Sequence, residues 1–171
     1  MPDSRLEVGQ TATGPLTPEE IADRLVPKDP RLSPDGRDVA FVVATQSKKG
    51  EHPEQALWLS RDGKPAEPFT AGSACDDEPR WSPDGSRLLF LSDRAERGTN
   101  RIYLIRRDGG EARPLGNLAG DLRSPEWSPD GTRIAVLRKD QESEAEKARK
   151  ESRDDAIVVD ADPRRTRLWV V

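Results

Sequence analysis

The sequence predicts an all-β fold: an incomplete β-propeller of four-stranded antiparallel blades, two full units and part of a third, preceded by a short helix. Three observations carry the prediction. One string recurs three times, as Pro30-Arg-Leu-Ser-Pro-Asp-Gly-Arg-Asp-Val-Ala-Phe-Val-Val43, Pro79-Arg-Trp-Ser-Pro-Asp-Gly-Ser-Arg-Leu-Leu-Phe-Leu-Ser92 and Pro125-Glu-Trp-Ser-Pro-Asp-Gly-Thr-Arg-Ile-Ala-Val-Leu137. Its Ser-Pro-Asp-Gly cores begin at Ser33, Ser82 and Ser128, spacings of 49 and 46 residues, which suit the blades of a propeller. The apolar residues also fall in short strand-length runs bounded by Gly, Pro and Asp rather than at helical spacing. A second Asp-Gly turn, at Asp62-Gly63 and again at Asp108-Gly109, closes each complete unit at a matching place.

Residues 1–15 are polar and hold Gly9, Gly14 and Pro15, a flexible leader. A helix is expected over 16–27. Thr17 can cap it, Pro18 suits its first position, Glu19 and Glu20 favour its positive end, and Ile21 and Leu25 share a face. Pro27 and Pro30 should close it.

The first unit spans about 28–72. Pro30 to Ser33 ends one strand, and Pro34, Asp35 and Gly36 supply the preset φ, the local side-chain bond and the left-handed residue of a tight reversal. Val39 to Val43 returns, Ala56 to Ser60 is the third strand, and Ala66 to Thr70 is a short fourth. The second unit, about 73–118, repeats the order with Glu78 to Ser82, Arg87 to Leu91, Arg101 to Ile105 and Ala112 to Leu115. Trp58 and Tyr103 fall at matching places, as do Trp81 and Trp127.

The third unit, about 119–171, begins alike with Glu126 to Ser128 and Ile134 to Leu137. A charged insertion at 138–155 then carries seven acidic and six basic residues. Ala156 to Val159 and Arg167 to Val171 resume as strands, with Trp169 in the place of Trp58 and Tyr103. A propeller closes with about 4–8 blades, so the chain is expected to be a fragment or part of a larger assembly.

Composition bounds the partners. Hydrophobic residues make up 33% and charged ones 35%, yet the net charge is only −4, so the charges interleave. No basic stripe speaks for nucleic acid, and no run approaches the roughly 20 apolar residues of a membrane span. The lone Cys75 excludes an internal disulfide and fits a reducing compartment, and the N-terminus lacks an apolar signal segment, so a cytoplasmic protein is expected.

Leu16-Thr-Pro-Glu-Glu-Ile-Ala-Asp-Arg-Leu25 followed by Asp29 to Val43, and later Ile157-Val-Val-Asp-Ala-Asp-Pro-Arg-Arg-Thr-Arg-Leu-Trp-Val-Val171, resemble the prolyl oligopeptidase family of serine peptidases. The acylaminoacyl-peptidase and dipeptidyl-peptidase-like branches are nearest, and the resemblance covers about residues 16–171. Ser-Pro-Asp-Gly blades are shared with TolB-type propellers; the helix joined directly to the first blade is more particular. The resemblance implies an N-terminal propeller that admits short peptides to a C-terminal α/β-hydrolase domain bearing the serine, aspartate and histidine. This sequence departs from that pattern. It holds no Gly-x-Ser-x-Gly elbow, the turn that positions such a serine, so no catalytic residue carries over. The chain alone is expected to be inactive, its partners being the hydrolase domain, the remaining blades and, in the complete protein, a peptide. A TolB-like scaffold for protein–protein interaction is the alternative.

No residue type rises to a catalytic, cofactor or metal site. His52 sits in a polar loop with no serine or carboxylate arranged around it. Cys75 precedes Asp76, Asp77 and Glu78, whose charges oppose a reactive thiolate. Those three acids lack the alternation and glycine of a calcium loop and are expected in a solvated loop between blades. Asp35, Asp84 and Asp130 read as turn formers, and Trp81 and Trp127 as packing between blades. The charged insertion could pair Glu146 with Lys150 along a helix or protrude to dock a partner.

Overall fold

The computed structural model describes residues 24–45, 53–140 and 165–171. Among the described residues, eleven strands form three antiparallel sheets. The first holds β1 (Leu25–Leu32), β2 (Asp38–Thr45), β3 (Gln55–Arg61) and β4 (Glu67–Pro68). The second holds β5 (Asp76–Trp81), β6 (Arg87–Ser92), β7 (Asn100–Arg106) and β8 (Arg113–Gly120). The third holds β9 (Leu122–Trp127), β10 (Ile134–Lys139) and β11 (Thr166–Val170). Within each sheet the strands follow chain order, as consecutive hairpins require. This is the partial propeller that the repeat predicts. β5 lies against β1, β2 and β3, and β9 against β5 and β6, so the first strands of the blades stand side by side on the inner wall.

The repeat is also a repeat of register. Phe41 pairs with Trp58, Phe90 with Tyr103 and Val136 with Trp169, the same position in each sheet. Because side chains alternate across a strand, the continuous run Leu88 to Leu91 splits between two cores. Leu88 and Phe90 pack on Ala40, Val42, Leu57 and Leu59 of the first sheet. Leu89 and Leu91 pack on Leu122, Ile134 and Val136 of the third. A strand apolar on both faces is therefore one with a sheet on each side. Where no sheet lies opposite among the described residues, apolar groups stand exposed: Leu32 is 63% accessible and Leu168 66%.

The Ser-Pro-Asp-Gly turns share one hydrogen-bond pattern. Ser33, Ser82 and Ser128 donate their hydroxyls to Asp35, Asp84 and Asp130 at 2.5–2.6 Å. The same hydroxyls accept the backbone N–H of Asp38, Arg87 and Arg133. The glycines close the turns at φ +72°, +68° and +69°. A Cβ on Gly85 would sit 3.5 Å from Pro34 Cδ, and one on Gly131 3.5 Å from Pro83 Cδ, so each turn nests against the proline of the turn before it. Indole N–H groups add a second blade-to-blade link: Trp81 donates to the Arg31 carbonyl at 3.0 Å and Trp127 to the Arg80 carbonyl at 3.2 Å.

Four expectations change. The helix over 16–27 is not supported: Leu25 to Pro27 belong to β1 and pair with Thr45, Ala44 and Val43, while residues 16–23 lie outside the described residues. Long-range ladder bonds to β2 outrank a single four-residue apolar spacing. Pro27 and Pro30 are tolerated because β1 has a ladder on one side only. Asp76, Asp77 and Glu78 are not a solvated loop but the start of β5. β8 runs through Gly116 to Gly120 rather than stopping near Leu115, crossing a register shift opposite Arg101 and Tyr103. Arg138 and Lys139 continue β10 instead of opening the charged insertion. The leader at 1–15, His52, residues 141–155 and the expected strand Ala156 to Val159 lie outside the described residues.

Candidate functional site

The inner wall carries the densest polar chemistry, and a local backbone rule builds it. Asp29, Glu78 and Ser124 each precede a proline and each adopt a left-handed φ, of 48°, 52° and 51°. Proline disfavours the right-handed helical region for the residue before it but ordinarily steers that residue to extended backbone; the left-handed φ here goes instead with the register shift that each pair marks in its ladder. Such bulges bend the strand and re-aim side chains. Three inner strands are thereby re-aimed at the same level.

Arg80 is the node where they meet, with its side chain 12% exposed. Its guanidinium lies 2.8 Å from Glu126 Oε1, 3.1 Å from Asp29 Oδ2 and 3.7 Å from Glu78 Oε2, so one residue joins β1, β5 and β9. Burial pulls the Arg80 pKa down, but the bonds to Glu126 and Asp29 outweigh it and the balance is upward. Glu78 moves up because of burial, opposed by the Ser124 N–H that it accepts at 2.7 Å and by Arg80. Arg31 binds Asp29 at 2.6 Å and Lys28 binds Asp77 at 2.9 Å. The wall is thus lined by paired charges of both signs.

The three acids of the 76–78 run are separated by strand alternation and serve different partners. Asp76, 1% exposed, accepts two bonds from Arg94 Nη2, both at 2.9 Å, and the Ser92 hydroxyl at 2.6 Å. Arg94 in turn lies over Phe90 and Tyr103, 5.0 and 4.9 Å from their ring centres. Asp77 faces Lys28, and Glu78 faces Arg80 and Ser124. Among the described residues no three metal-ligating side chains converge. The Cys75 thiol is pushed up to about 11 by burial, with Asp77 and Asp93 adding to the shift. Of the two carboxylates, Asp93 is distant in sequence and found only in three dimensions.

Asp35, Asp84 and Asp130 sit in the turns described above. Asp35 is held well below the carboxylate range, first by Arg107 and then by Ser33. Asp84 falls to about 2 through the Ser82 and Ser86 hydroxyls and the Ser86 N–H. Ser128 and Thr132 lower Asp130. All three stay ionised as acceptors within their own turns. Sequence reasoning missed both Arg80 and Arg107, since an isolated arginine in an Arg-rich chain carries no local signal.

A cleft of about 630 Å³ opens between the first and second blades on the side of these turns, lined by Arg37, Arg61, Arg87, Arg106 and Arg107 together with Asp38, Asp62 and Asp108. No helix of the described residues is long and apolar enough to cross a membrane.

Comparison with known proteins agrees with this architecture. Over 92 residues the chain is 32% identical to the uncharacterized peptidase YuxL of Bacillus subtilis (strain 168), spanning 53% of this chain and 14% of that protein. Among solved structures, TolB from Acinetobacter baumannii superposes with a TM-score of 0.54 at 25% identity, covering 67% of this chain and 27% of that one. An AtxE2 isopeptidase gives a TM-score of 0.58 at 22% identity, covering 92% and 30%. The β-propeller domain of the Trilobed protease from Pyrococcus furiosus gives 0.50 at 20%, covering 67% and 34%. These last two likenesses speak to the fold alone, and the chain spans well under two thirds of every protein named. Residues 20–161 match the TolB beta propeller domain. On that match, which spans most of the sequence, the chain belongs to the TolB beta propeller domain family.

Proposed function

We propose that this chain is the non-catalytic propeller portion of a serine peptidase resembling the prolyl oligopeptidase family, gating the access of short peptides to an α/β-hydrolase domain outside these 171 residues. The observation that carries this reading is the 32% identity with a peptidase. The inner wall supports it. Paired charges such as Arg80 with Asp29 and Glu126 offer donors and acceptors to an extended peptide backbone without a deep pocket to retain it. The Ser33, Ser82 and Ser128 hydroxyls are each committed to a turn aspartate, so none is a free nucleophile. A cytoplasmic setting goes with this reading, on the single free Cys75.

A second reading, a TolB-like scaffold for protein–protein interaction, is favoured by the 25% identity with TolB from Acinetobacter baumannii. One experiment separates the two. The coding sequence downstream of Val171 is read, the full frame is expressed, and both it and the 171-residue chain are treated with a fluorophosphonate probe and assayed on acylaminoacyl and short peptide substrates. The peptidase reading expects a Gly-x-Ser-x-Gly elbow, labelling and turnover in the full frame, and none in the chain alone. A frame of blades without a hydrolase domain would establish the scaffold reading, and turnover by the chain itself would defeat both.

A further inference from the structure

The cleft between the first and second blades holds a charge imbalance that the turns do not absorb. Its ion pairs can be assigned one by one. Arg37 binds Asp62 at 2.8 Å, Arg106 binds Asp108 at 2.6 Å, and Arg107 binds both Asp38 and Asp35 at 2.8 Å. Two guanidinium groups remain. Among the described residues the Arg61 guanidinium bonds only the Arg107 carbonyl, at 2.9 Å, and stacks 5.7 Å from the centre of Phe69; its charge helps to lower the Asp108 pKa, but no carboxylate lies within ion-pair distance of it. The Arg87 guanidinium, exposed at the start of β6, has no hydrogen-bond or ion-pair partner among them, its backbone alone being tied to Ser82. The second carboxylate on Arg107 offsets part of this surplus and leaves the cleft cationic on a chain whose net charge is −4.

Position makes the surplus usable. Arg61 ends β3 and Arg87 begins β6, so the two cations come from adjacent blades onto one concavity. Arg61 is anchored on the backbone of the opposite blade through the Arg107 carbonyl, which lowers the entropy lost when its remaining N–H donors take an acceptor. At about 630 Å³ the cleft is of the size that holds a ligand segment. Guanidinium forks match carboxylates two bonds at a time.

We propose that this inter-blade cleft is a docking site for an acidic stretch of polypeptide, whose carboxylates bind Arg61 and Arg87. The interleaved carboxylates favour peptide over a compact polyanion. A phosphate cluster brought to Arg61 and Arg87 would also face Asp62 and Asp108, whereas a peptide spaces its charges and can turn amide N–H groups toward those acids.

The test is fluorescence anisotropy on the 171-residue chain with a labelled short Glu/Gly peptide, its Gln/Gly counterpart and a Lys/Gly control, with inorganic pyrophosphate as competitor. The acidic peptide is expected to bind, more weakly as salt rises, and the other two not. Arg87→Gln, which removes a guanidinium without a partner among the described residues and leaves the backbone bonds to Ser82 in place, should weaken Kd by about ten-fold, as loss of one charge-assisted contact does. Arg87→Glu should abolish binding, and Arg61→Lys should weaken it while retaining the charge. Equal binding of the Gln/Gly peptide, no effect of Arg87→Glu, or pyrophosphate binding tighter than the peptide would each overturn the proposal.

Discussion

Phe41 and Phe90 occupy the same position in successive blades, each directly opposite an aromatic residue in the third strand. They differ in what lies across from them. Phe90 is 0% exposed, packed on the first sheet, with its ring centre 5.9 Å from that of Tyr103 and the Arg94 guanidinium 5.0 Å away. Phe41 has no sheet opposite among the described residues and stays partly accessible. Truncating a fully buried Phe to Ala costs about 3–5 kcal/mol through lost transfer energy and the residual cavity. At Phe41 no closed cavity forms and part of the ring is already wet, so Phe41→Ala should cost about 1–2 kcal/mol. In urea, with m near 2 kcal/mol/M, the midpoint should fall by roughly 2 M for Phe90→Ala and by under about 1 M for Phe41→Ala, with m unchanged. Equal shifts for the two variants would refute the assignment of apolar faces to neighbouring blades.

Trp81→Phe keeps an aromatic ring between the blades but removes the N–H donor to the Arg31 carbonyl and part of the indole's volume, and should cost about 1–3 kcal/mol by thermal or urea unfolding. Gly85→Ala meets only ordinary contact at Pro34 but must hold φ +68°, so it should lose about 1–2 kcal/mol, with Gly36→Ala losing the same because the strain is in the backbone. Arg80→Met leaves Asp29, Glu78 and Glu126 without their shared cation and should destabilise by about 1–3 kcal/mol, less than a fully buried pair because Glu126 is exposed. For Asp84 the folded pKa, about 2, lies below its ordinary 3.8. Its contribution to stability is therefore complete above about 3.8 and lost as pH falls through about 2. Acid titration of stability should show this loss in the native chain and less of it in Asp84→Asn.

Much of the candidate surface was not legible in advance. The turn aspartates were, since Ser, Asp and Gly at fixed offsets hydrogen-bond within five residues of one another. Asp76 was not: its partner Arg94 lies in the loop after β6, and its burial depends on β5 and β6 coming together. Arg80 and Arg107 gain their roles from carboxylates about 50 and 70 residues away, on other blades, and nothing in their flanks distinguishes them from the arginines that remain in solvent.

The sequence by itself determined the unit of construction. Periodic Ser-Pro-Asp-Gly turns, period-two apolar runs and matched aromatic positions act over a few residues, where local backbone chemistry decides the outcome, so strand order and hairpin register follow from them. Only the tertiary structure decided how the units join. The conversion of Leu25 to Pro27 from expected helix to strand, the Arg80 node across three inner strands and the cationic cleft at Arg61 and Arg87 all depend on contacts between segments far apart in the chain. Such contacts are set by the packing of whole sheets, because a side chain's charge partner is fixed by which blade faces it and not by its neighbours in sequence.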